Sequence, residues 1–113
     1  MSIKFLSCKD FISKSITLKD YNLYIILFIN NNQSNVIKEF IQVSKLIGGP
    51  IFAICNLINN NDIYKVFIEN NHTNQFKLDE SFILLYKNGW PIKEYYPNCN
   101  NNLSILSFIS EFM

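Results

Sequence analysis

The side chains that could carry chemistry in this 113-residue chain are few and scattered. Cys8, Cys55 and Cys99 are its three cysteines. No two form a C-x-x-C pair, so neither a zinc half-site nor a dithiol redox pair can be read from their spacing, and an odd, widely spaced set is not a disulfide framework. Cys8 lies at an expected helix start, where a thiol could be activated, but its apolar-face register favours a packed thiol. Cys55 falls within an apolar, strand-like run and reads as structural. Cys99 stands in a polar loop and is the best candidate for an exposed thiol, although no His or basic cluster adjoins it. His72 is the single histidine. It leaves too few soft ligands for a zinc site and has no acid–base partner beside it. Asp79 and Glu80 are neighbours on an extended stretch, where successive side chains point to opposite sides, so they do not make a general acid–base pair. Gly48-Gly49-Pro50 closes a helix rather than cradling a phosphate, because Pro removes a donor. These residues lead to the expectation of no catalytic site, no metal and no cofactor.

The elements that would position these residues follow from hydrophobic periodicity. Ile3 to Leu6 reads as a short strand. Ser7-Cys8-Lys9-Asp10 then reads as a capping box opening a short helix to about Ser15. Leu23 to Ile29 is a continuous apolar run, the mark of a strand buried on both faces in an α/β sheet. Asn30 to Asn35 is a polar loop rich in helix-capping residues. Val36, Ile37, Phe40, Ile41, Val43 and Ile47 then define one face of an amphipathic helix, with Lys38, Glu39, Gln42 and Lys45 opposite. Ile51 to Cys55 and Phe82 to Tyr86 are further buried-type strands, with a short helix around Ile63 to Phe67 between them. Asn88-Gly89 is a strong hairpin signal, and Trp90 to Tyr95 would be the return strand. Pro91 cannot donate to a ladder, which assigns that strand to the sheet edge. Leu103, Leu106, Ile109 and Phe112 recur at three-residue spacing and predict a terminal helix. The resulting order is β-α-β-α-β-α-β-β-α in one domain spanning residues 1–113.

Composition narrows the function classes. Nearly half the chain is hydrophobic and 15% is aromatic, enough apolar surface to exclude a disordered tail. The formal net charge is +1 and there is no Arg, which argues against nucleic-acid binding, since phosphate and base contacts depend on Arg forks and basic stripes. The longest apolar run is far shorter than the ~20 residues of a spanning helix. Charges interrupt every apolar stretch near Met1, unlike a signal peptide. The expectation is an intracellular protein with no membrane partner. The N-x-S/T triplets starting at Asn32, Asn71 and Asn102 carry no weight without an export signal. Seventeen Asn, eighteen Ile and ten Lys stand beside one Ala. Such a bias fits an A/T-rich genome, as in some protozoa and large DNA viruses.

The segment Phe82-Ile83-Leu84-Leu85-Tyr86-Lys87-Asn88-Gly89, together with the element order, resembles the thioredoxin family. It is similar to the apolar strand and Lys-Asn-Gly turn before that family's last hairpin strand. The resemblance implies an α/β fold, a thioredoxin-like three-layer α/β/α sandwich with a mixed central sheet. Leu23 to Ile29 would be its central strand, and the helix from Val36 would be the one that carries the redox site. In thioredoxins a Trp-Cys-Gly-Pro-Cys segment follows the central strand. Counting from Phe28, its two cysteine positions fall on Gln33 and Val36, with Ser34 and Asn35 between them. The chemistry needs a thiolate at the helix start and a second thiol to resolve a mixed disulfide. A carboxamide and a valine supply neither, and no cysteine lies between Cys8 and Cys55. The family's cis-proline position falls on Ser81, where a cis bond would be costly.

The resemblance thus implies a retained scaffold without the thiol reaction. The expected function is a non-catalytic protein-interaction or structural subunit, with other proteins, a large assembly or further copies of itself as partners. A component of a large DNA virus particle is one concrete version. The alternative is a single-thiol redox protein using Cys99 or Cys8. Trp90, Tyr95 and Tyr96 form a candidate interface, since edge strands offer unpaired backbone and aromatic residues favour interfaces. Equally, they could pack against the terminal helix through Ile92 and Phe108. Asn30 to Asn35 is a further polar surface able to hydrogen-bond a partner.

Overall fold

The computed structural model describes residues 3–7, 23–30, 34–58, 81–87, 90–96 and 104–111. Five strands, β1 (Lys4–Phe5), β2 (Leu23–Ile29), β3 (Ile51–Asn56), β4 (Phe82–Lys87) and β5 (Trp90–Tyr95), form one sheet in the order β1-β3-β2-β4-β5. Helix α1 (Ser34–Leu46) follows β2, and helix α2 (Ile105–Ser110) follows β5. β1, β3 and β2 run parallel, whereas β4 is antiparallel to β2 and β5 to β4. The sheet is therefore mixed, as expected. The predicted helices near Phe11 and Val66, together with Cys8, Cys99, His72, Asp79 and Glu80, lie outside the described residues.

The continuous apolar runs become the central strands because both faces of the sheet are covered. Ile25 and Leu27 of β2, Phe52 and Ile54 of β3, and Ile83 and Leu85 of β4 share one face. Phe40 and Val43 of α1 and Ile105, Phe108 and Ile109 of α2 pack over it. Tyr24, Ile26, Phe28, Ala53, Cys55, Phe82, Leu84 and Tyr86 fill the other face. On that side Phe28 stacks on Phe82 with ring centroids 5.0 Å apart. Each of these large apolar side chains contributes about 1.5–3 kcal/mol by leaving water.

α1 begins at Ser34, two residues before the predicted start, so Ser34 and Asn35 belong to its first turn rather than to the preceding loop. Its end is as the sequence requires. Gly49 takes φ +107°, a left-handed conformation that L side chains resist, and Pro50 follows. α2 is capped by Ser104, whose Oγ accepts the Ser107 backbone N–H at 3.1 Å. Its buried face is Ile105, Phe108 and Ile109, and Leu106 is exposed. Of the expected stripe through Leu103, Leu106, Ile109 and Phe112, Ile109 is buried as expected, Leu106 is not, and Leu103 and Phe112 lie outside the described residues. A strict three-residue repeat drifts around a helix of 3.6 residues per turn, so spacings of three and four must alternate to stay on one side. Among the described residues, no helix is long and apolar enough to cross a membrane.

β5 is an edge strand, consistent with Pro91. Its pairing runs Lys87 with Trp90 and Tyr86 with Pro91, then skips to Leu85 with Lys93. Ile92 is the extra residue of a β-bulge, and its side chain is exposed. Beyond the bulge, Glu94 pairs with Leu84 and Tyr95 with Ile83.

Candidate functional site

Three chain segments converge at one end of the sheet. β2 and β3 deliver their carboxyl ends there, β4 starts there, and β2 leads through a short connection into α1. Strand ends of this kind, where the connections diverge, are the usual place for a site in an α/β sheet. The segments are tied together by hydrogen bonds. The Asn30 backbone N–H donates to Ser81 Oγ at 3.0 Å. The Leu57 N–H donates to the Ile29 carbonyl at 2.8 Å, and the Ile58 N–H donates to Asn56 Oδ1 at 2.8 Å. Ser81 is only 3% exposed. Its hydroxyl thus joins the end of β2 to the start of β4 inside the molecule.

Of the positions singled out at this end, Gln33 lies outside the described residues, and so does the Ser34 side chain. Asn35 is exposed in the first turn of α1, and Val36 is half-buried against the core face that α1 covers. The first turn of α1 contains no acidic residue. A helix start of this kind favours negative charge and would lower the pKa of a thiol placed on it. The groups the described residues bring to this end are carboxamides, a hydroxyl and backbone N–H groups. They exchange hydrogen bonds but do not ionise near neutral pH. The sequence could have suggested the Asn30–Ser81 contact only through strand pairing, because the two residues are 51 apart in the chain.

Cys55 lies on β3 as a fully buried thiol, in register with Phe28, as a structural residue would. On the same face, burial pushes the Tyr86 phenol well above its ordinary range, and the negative charges of Cys55 and Glu94 add to the shift. Burial likewise raises Tyr95, helped by Glu39 of α1.

Of the candidate interface at Trp90, Tyr95 and Tyr96, the two tyrosines follow the packing alternative. Tyr95 is 3% exposed and Tyr96 6%. Tyr95 stacks on Phe108 of α2 with centroids 4.7 Å apart. Tyr96 lies 5.5 Å from the Phe82 ring, and its hydroxyl donates to Glu94 Oε2 at 3.1 Å. Both tyrosines therefore belong to the core, one on each face of the sheet. The Trp90 side chain lies outside the described residues. Ile92, expected beside Phe108 in the packing alternative, is instead at the surface. The tandem Tyr95-Tyr96 held the signal, since consecutive residues leaving a strand face opposite ways and both faces of this sheet are covered.

No family model matches the chain, and no curated protein matches it in sequence. Among solved structures, the crystal structure of thioredoxin f2 from Chlamydomonas reinhardtii superposes with a TM-score of 0.70 at 13% sequence identity. The match covers 99% of this chain and 97% of that one. A likeness at that identity is one of architecture: the chain has a thioredoxin-like α/β fold built on a mixed five-stranded sheet.

Proposed function

We propose that this chain is a non-catalytic thioredoxin-fold protein that works by binding other proteins, as an interaction module or a structural subunit. One observation supports the reading above the rest. The first turn of α1, beside the Asn30–Ser81 contact, carries Asn35 and Val36 where the resemblance calls for the redox segment. Thiol–disulfide exchange needs a thiolate to attack and a second thiol to resolve the mixed disulfide. The sequence offers no cysteine between Cys8 and Cys55, and Cys55 is buried within the sheet. What remains is a hydrogen-bonding surface on a rigid scaffold, which suits recognition better than electron transfer. The partners would be proteins, either other chains or further copies of this one. The coding bias motivates one concrete version, a subunit of a large DNA virus particle.

The test has two arms. In an insulin-reduction assay with dithiothreitol, the chain should give no turnover above the dithiothreitol background. In a thiol titration at neutral pH, Cys8 and Cys99 should react no faster than a free peptide thiol. Turnover above background, or one fast thiol that supports it, would replace this reading with the single-thiol redox alternative. The binding half is tested by native mass measurement on protein isolated from its source. A large assembly or oligomer is expected, and a bare monomer under all conditions would overturn it.

A further inference from the structure

We draw no further inference here: the strongest candidate, the apolar surface patch at Phe5 on the short edge strand β1, where the ring is 81% exposed, carries nothing because nothing in the structure shows what covers it.

Discussion

Ser81 and Tyr86 show how single side chains set the behaviour of the sheet. Ser81 is buried and its hydroxyl accepts the Asn30 backbone N–H. Replacing it with Ala removes that acceptor from a partly buried hydrogen bond, which costs about 0.5–1.5 kcal/mol. A urea titration of Ser81→Ala should therefore show a lower midpoint with an unchanged slope, since the surface exposed on unfolding is the same. Tyr86 makes a pH prediction. Its phenol is held above its ordinary range, first by burial and then by Cys55 and Glu94. The unfolded chain releases this proton near pH ~10, whereas the folded chain keeps it. Stability from this residue is intact below about pH 10 and is lost as pH rises toward the folded-state value. Tyr86→Phe removes the titrating proton and should lose less stability than the parent at alkaline pH. Chemical-denaturation midpoints across that range decide it, and parallel curves for the two proteins would contradict the assignment.

At the scale of elements, the bulge in β5 decides more than its size suggests. Ile92 is the extra residue between the Tyr86–Pro91 and Leu85–Lys93 pairs. If Ile92 paired with Leu85 instead of bulging, the ladder would continue one residue out of step, and every later side chain would change face. Glu94 would then oppose Ile83 and turn toward α1 and α2, and Tyr95 would leave its stack on Phe108. Ile92→Ala changes only an exposed side chain and should stay within about 0.5–1 kcal/mol of the parent. Deleting Ile92 lets Lys93, Glu94 and Tyr95 follow Pro91 directly and keeps their observed partners Leu85, Leu84 and Ile83, so it should cost far less than the ~3 kcal/mol of an unpaired carboxylate driven into the core. Thermal unfolding followed by circular dichroism tests both variants, and a collapse of the midpoint on deletion would contradict the register seen beyond the bulge. The bulge and Pro91 also roughen an edge that would otherwise invite strand pairing.

For the whole molecule, the thioredoxin-like sheet order gives the proposed alignment of the redox segment a direct test. If Gln33 and Val36 occupy the two cysteine positions of the family, the double variant Gln33→Cys/Val36→Cys should close a disulfide under mild oxidation. Titration of the unfolded protein should then find two fewer thiols than after reduction with dithiothreitol. The parent treated alike should keep all three cysteines reduced, with Cys55 buried in the sheet. If the engineered pair stays reduced, the counting from Phe28 is out of register and the proposed function loses its main support.

Much of the fold was legible in the chain itself. Leu23 to Ile29 and Phe82 to Tyr86 are so continuously apolar that only a sheet covered on both faces could hold them. Gly49 and Pro50 end α1 by backbone chemistry alone, and Pro91 assigns β5 to an edge for lack of a donor. These are local constraints, carried by residue type and spacing. Tertiary structure decided what depends on partners far apart in sequence. It joined Asn30 to Ser81 and inserted Ile92 as a bulge, which set Tyr95 against Phe108 on one face and Tyr96 against Phe82 on the other. It also turned the last helix so that Ile105 and Phe108, rather than Leu106, face the sheet. A strand's alternation tells which residues share a face, but the register against its neighbour determines which face that is, and register belongs to the pair of strands rather than to either one.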